Sequence, residues 1–358
     1  MSYFRKRDKH HMLLRIDTRP INCDQREIRA FMVARNELLR LPQTLDHSRR
    51  LGVARFFVVD NGSTDGSKQF LLAQSDCHVF VTHGSHLESG YGVEWQNALL
   101  NEYGIYHWCL VVDADEWFVF PGYETKSLSD LSAYLERSGA QGVFAFLLDM
   151  YGRGPITESM ADPHLSLLDA CRYFDSEYDW RHRSHIAGLE RPSFPEYDVL
   201  GGPRLRWFFP NWRRYYPLLL ALWRVYYDFL RLPLPLPLAL RPPPTLRKIP
   251  FVRWLPGTHY DSVHGTSPIK LSEVTGVLLH FKFLEDFYGR VNTELSRKDY
   301  QVRGAWASEL KRYMLRLHRN SHPSFYHSGS VAYEDSEQLI RLGLLKEDRG
   351  WRQLREAT

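Results

Sequence analysis

Cysteine is scarce in this 358-residue chain, and Cys23, Cys77, Cys109 and Cys171 lie far apart with no CxxC pair. That spacing argues against a zinc knuckle or a disulfide framework, and makes a reducing cytosol the simpler home. Charge of one sign is equally scarce. A formal net charge of +4 is small for this length, and the basic tip formed by Arg5, Lys6, Arg7 and Lys9 is too short to make a nucleic-acid footprint. No uninterrupted apolar run reaches the roughly 18 to 20 residues of a spanning helix, and the N-terminus has neither the apolar run nor the cleavage site of a signal peptide. The expectation is a cytoplasmic protein, neither secreted nor membrane-spanning, without a nucleic-acid partner. Internal repeats are missing too.

What remains is the composition of a globular protein, 44% hydrophobic and 25% charged, long enough to bury a large core. The most informative stretch is LVVDADEWFVF, residues 110 to 120, where an apolar run of strand length stops at Asp113 and Asp115 and then resumes. A buried parallel strand would deliver these carboxylates to the carboxyl edge of a sheet, where open α/β folds bind ligands. If the extended backbone persists, Asp113 and Asp115 point to one side while Ala114 and Glu116 point to the other. Two same-facing carboxylates repel unless a cation or proton lies between them, and Mg²⁺ or Mn²⁺ takes such oxygen ligands together with substrate phosphates. The plainer alternative is an acidic turn after a strand.

The first third alternates strand and helix signals. REIRAFMVARN (26 to 36) reads as a strand, Pro42 suits the first turn of a helix running towards Gly52, and ARFFVVD (54 to 60) reads as a second strand. NGSTDG (61 to 66) is turn chemistry. A helix over 68 to 73, a strand over 78 to 82, a helix over 93 to 102 and the strand ending at Asp113 complete a β-α-β-α-β-α-β series, a parallel sheet with helices on its faces. Further strands are expected over 142 to 152 and 274 to 284, with helical sequence from Glu285 to His318. Asp60 ends the second strand as Asp113 ends the later one. Its carboxylate suits a base N–H or sugar hydroxyl, with Asn61 beside it, or else an Asx turn capping the next helix.

The segment FMVARNELLRLPQTLDHSRRLGVARFFVVDNGSTDGS followed by LVVDADEWF resembles the nucleotide-binding half of a family 2 glycosyltransferase of the GT-A fold, in order and spacing over residues 26 to 120. The resemblance implies a Rossmann-like, mostly parallel α/β sheet with helices on both faces, an irregular acceptor-side half and C-terminal helices. It divides the chain into a tail (1 to 25), a nucleotide-sugar half (26 to 125), an acceptor-side half (126 to 300, with an aromatic and proline-rich insertion at 210 to 245) and a helical end (301 to 358). It places Ala34, Arg35 and Glu37 near the nucleotide, Asp60 on the base, and Asp113 and Asp115, around Ala114, on ribose, metal and diphosphate. Asn97 matches a family position, while Gln96 stands where an arginine is usual. Downstream the DADEW motif and the HFKFL strand resemble a subgroup related to family 92-like bacterial enzymes.

In GGPRLRWF (201 to 208), Arg204 and Arg206 at i and i+2 suit a diphosphate clamp, or else ion pairs at the surface. Of the late histidines His259, His264 and His280, the resemblance favours His280 and then His264 as metal ligands, although a histidine in an apolar strand is often a core residue. Lys282, two residues beyond His280, would face the same side and neutralise phosphate. An inverting transfer needs a base, for which Asp149 at the end of FAFLLD is the first candidate, and Glu116 and Asp175 are its competitors. The expected reaction is transfer from a UDP- or GDP-sugar to a glycan or lipid-linked saccharide, with Mn²⁺ or Mg²⁺ as cofactor. A sugar nucleotidyltransferase and a non-catalytic nucleotide- or sugar-binding module are the alternatives. Trp212 to Leu240, rich in Trp, Tyr, Leu and Arg, suits either the inner membrane surface or a helix packed on the catalytic domain ahead of a proline loop.

Overall fold

The computed structural model describes residues 13–21, 24–160, 166–182, 194–195, 197–212, 218, 243–296, 305–319 and 323–357. The basic tip, Cys23 and nearly all of 213 to 242 therefore lie outside the described residues. The chain forms two compact units that are not linear segments: the first takes 1 to 145, 248 to 278 and 335 to 358, the second 146 to 247 and 279 to 334.

In the first unit, a two-residue strand β1 (Leu14–Arg15) precedes β2 (Ile28–Ala34), α1 (Leu41–Arg50), β3 (Val53–Asp60), α2 (Ser67–Ala73), β4 (Cys77–Val81), α3 (Val93–Tyr103), β5 (Trp108–Val111), β6 (Glu116–Val119) and α4 (Leu128–Ser138). The chain then enters β7 (Gly142–Asp149), which ends in the second unit. The short strands β8 (Tyr173–Asp175), β9 (Tyr178–His182) and β10 (Tyr197–Gly201) follow there. Next come β11 (Arg247–Arg253), the small hairpin β12 (Tyr260–Ser262) and β13 (Gly265–Thr266), and β14 (Gly276–His280). A last strand, β15 (Ser330–Ala332), pairs antiparallel with β8.

The main sheet has the order β1-β4-β3-β2-β5-β11-β7-β14-β6. Pairing is parallel through β4-β3-β2-β5, and antiparallel where β1 joins β4 and β11 joins β5. The expected α/β architecture is thus present, and its parallel core is the series read from the alternating sequence. β2 and β3 are apolar on both faces, as central parallel strands are, and Phe31 stacks on Phe57 at 5.1 Å. α1 starts with proline in its first turn and packs on β3 and β6, and α3 packs on β2 and β3. The C-terminal stretch belongs to this unit: Trp351, fully buried, donates to Pro121 O, and Ser336 Oγ accepts from Gly122 N.

Four expectations are corrected. β5 stops at Val111, and residues 112 to 115 form a turn in which Glu116 N donates to Asp113 O at 3.2 Å, so the strict two-sided alternation of 113 to 116 does not hold. The strand expected over 274 to 284 is Gly276–His280, which leaves Lys282 beyond it instead of on the same strand face. The segment 201 to 208 closes in a π-helical turn, Arg204–Phe208, so the i and i+2 arginines do not share a strand face. The helical sequence from 285 is two helices, Phe287–Ser296 and Ala305–Arg319, and residues 297 to 304 lie outside the description. In the second unit these helices close on an aromatic core in which Phe208 meets Tyr313 at 4.3 Å and Phe283 meets Phe325 at 4.7 Å. Among the described residues no helix is long and apolar enough to cross a membrane.

Candidate active site

The carboxyl ends of β3, β2 and β5 lie side by side, with Ala34 paired to Asp60 across the β2–β3 ladder. The two loops leaving β2 and β3 are zipped together by side chains. Ser63 Oγ accepts from Asn36 N, Ser67 Oγ from Glu37 N, Asp65 from Leu38 N, and Asn36 Oδ1 from Thr64 N. The turn residues of NGSTDGS therefore hold the ARNEL loop. Asn36 has φ 54°, a left-handed conformation that asparagine tolerates. Glu37 lies 3.5 Å from the fully buried Arg40, and Arg35 donates to Asn61 O at 2.9 Å.

Asp60 uses one carboxylate oxygen in a turn and leaves the other unpaired. Its Oδ1 accepts from Gly62 N and Ser63 N at 3.1 Å, the Asx turn, while Oδ2 is buried and has no partner among the described residues. Asn61 donates its amide to Thr82 O and Gly84 O, and its Oδ1 is likewise buried without a partner. Buried polar atoms left unpaired cost free energy, and they are ready to receive donors from a ligand.

The turn after β5 is held from three sides. Thr44 Oγ1 donates to Ala114 O at 2.6 Å, and Asp113 N donates to Glu116 Oε2 at 3.0 Å. The third side is Lys248, whose Nζ lies 2.7 Å from Asp113 Oδ2 and 2.6 Å from Glu116 Oε1. β11 brings it there. Antiparallel pairing sets Arg253 opposite Trp108 and Phe251 opposite Leu110, and Lys248 lies near the start of β11, beyond that ladder and beside the turn. Partial withdrawal from water opposes charge on Asp113, which keeps 46% of its side chain exposed, and Asp115 also pushes its pKa up, yet Lys248 prevails and holds Asp113 below the ordinary carboxylate range. Burial likewise works against the Lys248 ammonium, but Asp113 and Glu116 hold its pKa above the usual lysine value.

Asp113 and Lys248 border a cleft of about 480 Å³, counting its open mouth, lined also by Val33, Gln96, Val111 and Tyr260. Asn97 shapes the wall: its Nδ2 donates to Tyr260 O and its Oδ1 accepts from Tyr260 N. Its amide is thus used on backbone, while Gln96 faces the cleft. Gly92, at φ 85°, lets the chain pass Val33 closely, since a Cβ there would meet Val33 Cγ2 at 3.2 Å. His264 sits in the turn between β12 and β13.

The remaining candidates belong to the second unit. Asp149, with no exposed surface, receives Arg204 at 2.7 Å on Oδ1, and His280 Nδ1 lies 2.6 Å from the same oxygen. Burial raises the pKa of Asp149, but Arg204 and His280 outweigh it and keep the carboxyl below its ordinary range. Asp175 receives a bidentate pair from Arg206 at 3.0 Å and a 2.5 Å hydrogen bond from Tyr151 OH. The two arginines thus serve separate carboxylates instead of forming one clamp. Lys282 lies 3.7 Å from Glu309 and 5.1 Å above the Tyr313 ring.

Lys248 is the residue that sequence reasoning missed. Its only local signal is a charged pair, Arg247-Lys248, heading the apolar strand IPFV.

For a divalent cation, the first unit offers hard oxygen ligands: Asp115 and Glu116 each place a carboxylate oxygen within 4.8 Å of the other, whereas Lys248 already takes Oδ2 of Asp113.

Residues 30–148, about a third of the chain, match the family described as Glycosyl transferase family 2. No curated protein matches. Among solved structures, S. aureus TarS is 18% identical over 36% of this chain and 23% of its own, with a TM-score of 0.29. TarS 1-349 in complex with UDP is 17% identical over 35% of this chain and 36% of its own, with a TM-score of 0.28. This chain therefore spans well under half of either TarS chain. A Bacillus anthracis protein described as a glucose-1-phosphate thymidylyltransferase, in complex with a sucrose, is 8% identical over 88% of this chain and 93% of its own, with a TM-score of 0.28. The family match runs from Ala30 in β2 to Leu148 in β7, the stretch that carries Asp60, Asp113 and Asp115, and it supports a glycosyltransferase.

Proposed function

We propose that this chain is a GT-A glycosyltransferase that transfers a sugar, with inversion, from a UDP- or GDP-sugar to a glycan or lipid-linked saccharide. The observation that carries the reading is the family match over residues 30–148, within which Asp60 and Asp113 follow the strands on either side of β2 and Asp113 lines a cleft. Asp60 Oδ2, buried and unpartnered, receives a base N–H. The diphosphate lies at the turn after β5, and Asp115 with Asp113 holds Mn²⁺ or Mg²⁺. Bound there, the ion would supply positive charge to the departing nucleoside diphosphate.

The chain's own groups do the rest. The acceptor hydroxyl loses its proton to a carboxylate as its oxygen attacks the anomeric carbon, and the nucleoside diphosphate leaves as an anion without needing a proton. Asp149 is the first candidate for that carboxylate, ahead of Glu116 and Asp175: Arg204 and His280 hold its Oδ1, and its Oδ2 has no partner among the described residues. Calorimetry with UDP, GDP and their sugars, with Mn²⁺ or with EDTA, tests the donor half. Metal-strengthened binding that Asp115→Ala abolishes is expected. A protein that binds no nucleotide, or an Asp115→Ala variant with intact metal-dependent binding, would sink the reading.

A further inference from the structure

Three carboxylates, Asp113, Asp115 and Glu116, crowd a four-residue turn, and a diphosphate brought to that turn would meet strong repulsion. A divalent cation alone leaves the turn one charge negative, whereas the ion together with one ammonium makes it neutral. That ammonium is present. Lys248 lines the cleft, lies within 2.7 Å of two of the three carboxylates, and comes from a strand with no sequence connection to the turn. Its partners differ: Glu116 has almost no exposed side-chain surface, whereas Asp113 is 46% exposed and can turn to water or metal. Glu116 thus anchors the ammonium while Asp113 can release it. A lysine needed only to close the turn would gain nothing from a place on the cleft wall, and lysine is a flexible point charge suited to phosphate.

We infer that Lys248 is a built-in cation of the donor site, which keeps its contact to Glu116, exchanges Asp113 for the donor's diphosphate, and shares charge neutralisation with the metal. The inference rests on the glycosyltransferase reading above. It predicts that nucleotide binding is only partly dependent on metal, because one positive charge belongs to the protein.

The test is calorimetric titration with UDP and with GDP, in Mn²⁺ and in EDTA, on the full chain and three variants, with thermal melting alongside. Lys248→Met strands Glu116 and lowers stability, so Lys248→Met/Glu116→Gln removes both charges of the buried pair, and Lys248→Arg keeps the cation. The native chain should retain measurable nucleotide binding in EDTA. The double variant should lose about tenfold or more of that metal-free affinity, with a smaller loss in Mn²⁺, so that metal dependence grows. Lys248→Arg should keep most of it. A role confined to closing the turn would lower the melting temperature and leave the ratio of the two affinities unchanged. An unchanged ratio in the double variant overturns the inference while leaving the glycosyltransferase reading in place, and a native chain that binds neither nucleotide under either condition overturns both.

Discussion

Asp113 and Asp149 each lie at or just beyond the end of a strand and each meets a cation, Lys248 for one and Arg204 for the other, yet their surroundings differ. Asp113 is 46% exposed on a cleft, and its lysine is shared with Glu116. Asp149 has no exposed surface, and its arginine and histidine meet on a single oxygen. The first cluster can exchange a partner with solvent or ligand. The second must stay paired, because a carboxylate without water or counter-charge is expensive to keep ionised. The same kind of charge pairing therefore leaves one carboxylate partly exposed on a cleft and encloses the other completely.

Breaking the second cluster should have the largest effect. Arg204→Met strands a buried carboxylate and is expected to lower unfolding free energy by about 3–5 kcal/mol in urea at pH 7. A loss below about 1 kcal/mol would show Asp149 to be no more constrained than Asp113.

The next largest effect separates both clusters from a histidine beside the first. His47 stacks on Trp117 at 4.9 Å and contacts Phe118 O at 2.8 Å, and burial pulls its pKa down to about 4. The unfolded chain takes up that proton near pH 6.5 while the folded chain resists it to about 4, so stability is lost as pH falls through this window, by about 3 kcal/mol. Asp113 and Asp149 are held below their ordinary values, so their contribution is complete above roughly pH 4 and declines only below it. The loss of stability between pH 7 and 4.5 should be about 3 kcal/mol larger for the native chain than for His47→Gln, whose remaining pH dependence belongs to His78 and His107, also lowered by burial. Equal pH dependence in both would assign the loss to another group.

Lys248→Met is expected to cost about 2 kcal/mol, less than Arg204→Met, because Asp113 can rehydrate and only Glu116 is stranded. A cost equal to that of Arg204→Met would erase the contrast between the clusters. The smallest effect belongs to Thr44→Val, which removes the hydrogen bond to Ala114 O and the acceptor for Trp117 Nε1. About 1 kcal/mol of stability should go, and nucleotide affinity should weaken if the turn geometry matters to binding.

Local pattern made much of the first unit legible. β2, β3 and α1 announce themselves through apolar runs, Pro42 and the turn run 61 to 66, because the central strands are buried on both faces and their turns need special residues. Asp60 could be placed at its strand end for the same reason, whereas Asp113 falls in the turn two residues beyond β5. Illegible were the partners of these residues. Lys248 lies 135 positions from Asp113, and no local periodicity records an antiparallel strand inserted beside β5. The roles of Arg204 and Arg206 were also hidden, since a π-helical turn sends neighbouring arginines to Asp149 and Asp175, and dipeptide spacing carries no trace of that turn.

By itself, then, the amino-acid sequence determined the alternating α/β series and the carboxylates at or just beyond its strand ends, because these depend on residues within a turn or a strand of one another. Tertiary structure alone decided which cation each carboxylate meets, which oxygen of Asp60 stays unpaired, and which cluster opens on a cleft. Charge pairing and burial act through space across strands distant in sequence, and only the folded sheet brings Lys248 to Asp113 and Arg204 to Asp149.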